Sequence, residues 1–409
     1  MRAVVANFSL TRAAITLILS KISKSAFYGP FSILSYHADY PEPKLPSEEW
    51  VKVKTSLCGI CGSDLRLIML EESFYLYPLT SFPLILGHEV VGRVEEVGKK
   101  VDGIEEGERV VIDNVLPCKV RGLEECPSCK EGRYSICYNF DRGAISPGIF
   151  TGFCRDTRGG WSDYFVAHEH QLIKVPENLS DEKAVFAEPF AVCLHAVLKA
   201  LPEKEDLVAI IGCGMMGIGI AAALRALGFK GEIVGIDLSK FQLEMAKKFG
   251  VSKTICLGEG EKAIEGIAEL TGGRVYYPPR EKPMFVGGGA DIVFECVGRS
   301  QTVDDSLRIV KPGGKVILLG TAGKLSGVDF APVFSKEVEI KGVFGSGVEK
   351  VGEQRKRAFE LAIELFEKGV DLSPLLTHKF PLEKYKEALW AAMNKDESKA
   401  IKVAFSFES

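Results

Sequence analysis

The chain has 409 residues, 46% hydrophobic and 26% charged, which is enough for two domains that each bury a core. A formal net charge of −4 and a pI near 6.0 leave no electrostatic footprint for nucleic acid or an anionic membrane as the main partner. Eleven cysteines, an odd number in a long chain, do not read as a secreted disulfide framework; metal ligation is the better use for them, and the cytoplasm is the expected location.

Near the N-terminus the longest apolar run, residues 13–19, is flanked by Arg12 and Lys21. It falls short of the roughly 20 residues needed to cross a bilayer and lacks the uninterrupted apolar region of a signal peptide. From there to about residue 178, strand-like segments ("EEWVKVKTS", "VVGRVEEVG", "GERVVID", "WSDYFVAH") alternate with glycine-bearing turns. The first of them runs into "TSLCGICGSDLRL", where Cys58 and Cys61 form a C-x-x-C pair followed by Ser63 and Asp64. Such a pair serves as a redox dithiol, as half of a four-cysteine zinc site, or as one metal ligand beside a bystander thiol. Gly87-His88-Glu89 comes next. Histidine and glutamate both ligate zinc, and Cys61 would complete a mixed set with one position open for water or substrate. Cys118, Cys126, Cys129 and Cys137 then fall within twenty residues and include a C-x-x-C, the pattern of a closed structural zinc site.

Between about 190 and 345 strands and helices alternate, which predicts a doubly wound parallel sheet. "DLVAIIG" is a buried strand and 215–228 has helical period. "EIVGID", a helix from Ser239 to Phe249, "TICL" and a further helix follow, then "ADIVFECVG", "KVILLG" and "EIKGVFG". Gly212, Gly214 and Gly217 form G-x-G-x-x-G between the first strand and its helix, and Asp237 ends the next strand 20 residues later. In that setting the glycines let backbone approach a pyrophosphate, and the carboxylate accepts ribose hydroxyls while repelling a 2′-phosphate, so NAD is favoured over NADP. Met215 and Met216 in the same turn, and Val297, Gly298 and Gly320 at later strand ends, are the other expected cofactor contacts; Glu295 and Cys296 end a strand at that edge. The stretch 271–289 is expected as a surface insertion. The tail carries expected helices near 352–368 and 383–393 and a closing strand "AIKVAF".

Taken together, "GICGSD", "GHEVVGRVEEVG", "EPFAVCLHA", "GCGMMG", "KPGGKV" and "LLTHKFPLEKYKEAL" resemble the zinc-dependent medium-chain alcohol dehydrogenases, in the branch with polyol, sorbitol and threonine dehydrogenases, over nearly everything after residue 40. The resemblance implies a GroES-like β-rich catalytic domain (1–189 and 346–409) and a Rossmann NAD-binding domain (190–345). It implies hydride transfer between NAD and a secondary alcohol, polyol, sugar or cyclitol. A threonine-type amino-alcohol dehydrogenase is the alternative, and a non-catalytic dinucleotide- or zinc-binding protein a weaker one. By the same resemblance Cys61, His88 and Glu89 bind a catalytic zinc, and Glu188 is a direct or alternating ligand. Asp64 accepts the other ring N–H of His88, and Ser63 carries the alcohol proton outward. The edge strand "EIKGVFG" would pair across a two-fold axis to build a homodimer or homotetramer.

Three features depart from the family's pattern. Leu123 stands where the first structural cysteine is expected, so Cys118 must loop back to serve. Arg66 occupies the relay-histidine position, as a proton-path change, an anion contact or a plain surface arginine. The N-terminal stretch and "YNFDRGAISPGIFTGFCRDTRGGW" are longer than the common form.

Overall fold

The structure, a computed structural model, describes residues 1–321 and 323–407. The chain divides into two compact units, Met1–Ala191 with Gly345–Ser409, and Val192–Phe344.

The first unit is built on a seven-stranded sheet. Its path runs 376–381, 402–406, 50–59, 89–97, 109–112 and 172–174, with 164–168 paired to the start of the 50–59 strand. Trp50–Gly59 shows why that strand forms: Val51, Val53, Thr55 and Leu57 alternate inward while Lys52, Lys54 and Ser56 face away from the core. Val51, Val53, Phe165 and Phe405 belong to the main core, where Trp161 packs edge-on to Phe405 at 5.2 Å between ring centroids. Burial of side chains this size stabilises by about 1.5–3 kcal/mol each. The N-terminal stretch adds strand Ala3–Ala6, which pairs with 34–37 and 84–85, and helix Leu10–Ser20.

The second unit is a six-stranded parallel sheet in the order 253–256, 232–237, 207–211, 290–295, 310–318, 339–342, the doubly wound arrangement expected from the alternation. Its first two strand–helix turns are set by local chemistry. Gly212 takes φ +91°, Met215–Ala226 follows as helix, and Ser239 caps Lys240–Lys248 by accepting the Gln242 N–H. Within 271–289 an antiparallel pair forms, 274–276 with 284–286.

One expected element is different. The helix anticipated near 352–368 begins only at Ala358; residues 348–351 and 354–357 pair as a hairpin, turning at Gly352 with φ +60°. The β-branched ends of "VEKV" and the Gly-Glu turn between two charged segments favour a two-residue hairpin over a helical start.

Candidate catalytic and cofactor sites

In the first unit Cys61 is the N-cap of helix Gly62–Ile68, and Asp64, three residues on, folds back so that its Oδ2 accepts the Cys61 N–H at 2.9 Å. The other oxygen, Oδ1, lies 3.4 Å from Nδ1 of His88, and His88 Nε2 lies 3.5 Å from the Ser63 hydroxyl. The short run from Cys61 to Asp64 thus presents sulfur, hydroxyl and carboxylate to one buried imidazole. Asp64 is 0% exposed and His88 3%. Burial alone would lower the His88 pKa, but Asp64 and Cys61 outweigh it and raise it well above the usual histidine range. Phe150 and Phe153, from the lengthened segment, flank the ring with centroids at 6.0 and 5.8 Å.

Gly87 makes this placement possible. It takes φ +95°, and a Cβ there would lie 2.4 Å from Trp161 Cδ1 and 2.6 Å from Cys58 Sγ. Cys58 is therefore a packed core thiol. It is fully buried, and burial pushes its pKa well up, so it is a poor ligand and a poor nucleophile. All eleven cysteines are free thiols.

Glu89 and Glu188 enter the same neighbourhood with different partners. Both Glu89 oxygens accept from Lys402 Nζ, at 2.7 and 2.6 Å, with the two side chains 1% and 5% exposed. Gly59 gives that carboxylate its room, since a Cβ there would sit 2.1 Å from Glu89 Oε2. Glu188 Oε1 accepts from Asn114 Nδ2 at 2.8 Å. Burial pushes the Glu188 carboxyl up to about 7, with His88 and Lys402 pulling it down and Glu89 pushing it up. Lys402 and Asn114 belong to no recognised motif. The one clue to Lys402 is a lone charge inside the otherwise apolar buried run 400–405. Arg66 lies in the last turn of the Cys61 helix, where it pulls down a Glu72 carboxyl that burial pushes up.

The donor chemistry of this neighbourhood fits a divalent cation. Asp64, Glu89 and Glu188 bring three carboxylates, beside the Cys61 thiol and the His88 imidazole, against the single ammonium of Lys402; Asp64 Oδ1 and His88 Nδ1, 3.4 Å apart, are buried and make no hydrogen bond. Among the described residues only Cys118, Cys126, Cys129 and Cys137 have metal-binding atoms all within 4.8 Å of one another. Cys118 joins them because the chain folds back after it: Leu123 N–H and Arg121 N–H both donate to the Cys118 carbonyl. The N–H groups of Cys126, Tyr138 and Asn139 and the Asn139 side-chain amide all donate to cluster sulfurs at 3.2–3.5 Å. A hydrogen bond from Cys129 holds the Cys137 thiol down at about 5, while Cys129, as its donor, is raised. Four thiols so placed and so solvated by N–H dipoles suit Zn²⁺. Arg121, 0% exposed, pins the lengthened segment by donating to the carbonyls of Leu116, Arg142, Ile145, Ser146 and Gly148.

In the second unit Gly217 lets the first helix close onto its strand, because a Cβ there would lie 2.0 Å from the Gly212 carbonyl oxygen. A Cβ on Gly214, the helix N-cap, would meet Gln242 Oε1 at 4.0 Å and nothing nearer beyond its chain neighbours, and the N-cap has no side chain to satisfy the first N–H groups, including those of Met215 and Met216. That is a cradle for an anion. Asp237 braces it: Oδ2 accepts the Cys213 N–H and Oδ1 the Ser239 N–H, both at 2.7 Å. Val297, Gly298 and Gly320 lie in the turns after the next two strands of the same sheet edge. A dinucleotide fits this edge by the same criteria.

Two domain families match the chain, one in each half of the sequence. Residues 47–177 match the alcohol dehydrogenase GroES-like domain, and residues 214–368 match the zinc-binding dehydrogenase domain. The chain is 29% identical to an L-idonate 5-dehydrogenase of Vitis vinifera over 81% of its own length and 80% of the relative's. It is 27% identical to an L-threonine 3-dehydrogenase of Pectobacterium atrosepticum over 89% of both chains. Among solved structures, the 2R,3R-butanediol dehydrogenase of Bacillus subtilis superposes with a TM-score of 0.70 at 25% identity, covering 92% of this chain and 96% of that one.

Proposed function

The chain belongs to the zinc-dependent alcohol dehydrogenase family and is an oxidoreductase acting on CH–OH groups; from that premise we propose that it transfers a hydride between a secondary alcohol or polyol and NAD. The observation that carries the reading is the Cys61–Asp64–His88 arrangement with Ser63 beside the ring. Cys61, His88 and Glu89, with Glu188 as a direct or alternating ligand, would hold the catalytic zinc, and Cys118, Cys126, Cys129 and Cys137 a structural one. When bound, the catalytic zinc supplies a Lewis acid that lets a hydroxyl lose its proton near neutral pH.

The chain's own residues supply the rest. Asp64 fixes the orientation of His88 while its other oxygen holds the Cys61 backbone, so ligand and helix start move together. Ser63, half-buried, is placed to take the substrate's hydroxyl proton and pass it toward solvent. Phe150 and Phe153 exclude water around His88. Lys402 neutralises Glu89 and keeps that carboxylate from competing as a base. Gly212, Gly214, Met215, Met216 and Gly217 would receive the pyrophosphate, Asp237 the adenosine ribose, and Val297, Gly298 and Gly320 the remaining cofactor edge.

The test is NADH formation by zinc-loaded protein across secondary alcohols, cyclic and linear polyols, sugars and threonine. Turnover with a polyol or secondary alcohol, and preference for NAD over NADP, is the expected result. No turnover of any hydroxyl substrate despite bound zinc overturns it. A threonine-type activity is the second reading, favoured by the similarity to a threonine dehydrogenase; it requires the α-ammonium and carboxylate on the substrate. Edge strand Glu339–Gly342, with one side unpaired in the sheet order, supports a homodimer or homotetramer. A cytoplasmic location is consistent with the absence, among the described residues, of any helix long and apolar enough to cross a membrane.

A further inference from the structure

Three turns at the carboxyl edge of the parallel sheet, those after strands Leu207–Ile211, Ala290–Glu295 and Val310–Leu318, touch with no room for side chains between them. A Cβ on Gly212 would lie 2.5 Å from Val297 Cγ2. A Cβ on Gly320 would lie 2.2 Å from the Gly298 nitrogen and 2.7 Å from both the Val297 carbonyl carbon and Glu295 Oε2. Glu295 sits beneath this contact and is 0% exposed.

Its hydrogen bonds reach two of the turns at once. Oε1 accepts the N–H of Val297 at 3.0 Å, the N–H of Gly298 at 2.8 Å and the hydroxyl of Thr302 at 2.7 Å. Its backbone carbonyl accepts the N–H of Leu319 at 2.9 Å and of Gly320 at 2.8 Å. Oε2 is buried and has no hydrogen-bond partner. As core filling this is poor chemistry, because an apolar side chain would occupy the space without desolvating a carboxylate. What an apolar residue could not do is hold Gly298 at φ +79° and present three donors with one acceptor. Thr302, in the first turn of helix Ser300–Ile309, extends the brace by also accepting the Arg299 N–H.

We propose that Glu295 is the positioning residue of the dinucleotide site: its side chain locks turn 297–298 in the shape that receives the cofactor, against Gly212 and against the 319–320 turn that its backbone carbonyl holds. This rests on the dinucleotide reading given above. Glu295 need not touch the cofactor to do so. It reduces the freedom of backbone that would otherwise have to be ordered on binding, so its loss appears as weaker affinity.

The test is fluorescence titration of the full-length zinc-loaded protein with NADH, without any alcohol, alongside its thermal midpoint. Glu295→Ala should weaken NADH binding about tenfold or more. Glu295→Gln, whose carbonyl can still accept the Val297 and Gly298 N–H groups, should stay within about threefold of wild type. Thr302→Val removes one donor far more gently and should cost about threefold in affinity at an unchanged midpoint, which keeps the test open if Glu295→Ala does not fold. In steady state, KM for NAD should rise while KM for the alcohol is unchanged. Wild-type protein that does not bind NADH overturns the dinucleotide reading itself. Wild-type affinity in Glu295→Ala and Thr302→Val, or an affinity loss in Glu295→Gln equal to that in Glu295→Ala and tracking the fall in midpoint, overturns the positioning role alone.

Discussion

Removing the ammonium of Lys402 while keeping its length, as Lys402→Met, leaves both oxygens of Glu89 without their donor in a place where the carboxylate is 1% exposed. Stripping one partner from a buried pair costs about 3–5 kcal/mol, because the remaining charge is desolvated and unpaired. Exposed pairs are worth under about 1 kcal/mol, so burial decides the magnitude. Metal-free protein should therefore lose about 3–5 kcal/mol in urea denaturation. Glu89→Gln combined with Lys402→Met should recover most of it, giving a coupling energy of at least about 2 kcal/mol in the double-mutant cycle. Zinc should shrink the loss in the single variant, since a cation at His88 and Cys61 gives Glu89 a new partner. A loss below about 1 kcal/mol in metal-free protein, or no recovery in the double variant, would refute the reasoning.

Four further outcomes are expected. Cys61→Ser abolishes NADH formation, while Cys58→Ser, a packing change beside Gly87 and Trp161, leaves turnover largely intact and lowers stability by about 1–2 kcal/mol; a thiol titration showing the two linked would contradict this. Gly59→Ala drives a Cβ into the Glu89 carboxylate and should displace Lys402, lowering stability by more than about 1 kcal/mol in thermal melts. Cys118→Ser should remove the structural zinc and expose the 117–148 lobe to limited proteolysis, whereas Leu123→Ser should not. His170 is held down at about 3, first by burial and then by Arg357, against an ordinary value of 6.5. The unfolded chain therefore binds the extra proton between pH 6.5 and 3, and stability falls as pH falls through that window; His170→Phe should flatten the wild-type slope there in pH-dependent denaturation.

The features that could be read from sequence are those whose partners lie close along the chain. The glycine turn, its strand and its helix occupy residues 207–226, and Asp237 follows within one crossover, so spacing alone places them together. Cys61, Ser63 and Asp64 share one capped helical turn. Lys402 could not be found in this way, because 313 residues separate it from Glu89 and only the return of the closing strand beside Trp50–Gly59 unites them. Asn114 and Glu188 are 74 residues apart and meet for the same tertiary reason. The 348–357 hairpin was hidden because its charged and apolar residues suit an amphipathic helix as well as a strand, and Gly352 decides between them through one positive φ. The loop-back of Cys118 expected from the departure at Leu123 is present, and what the cysteine spacing could not supply is how it is made, by the Arg121 and Leu123 N–H groups donating to the Cys118 carbonyl.

Metal stoichiometry measured together with turnover tests the central claim most directly. Wild-type protein should carry about two zinc ions per chain and reduce NAD with a secondary alcohol or polyol. Cys61→Ser should carry about one and be inactive, with its four-cysteine zinc retained. Full activity in Cys61→Ser, or a wild-type protein that turns over with no zinc beyond the four-cysteine site, would contradict the account.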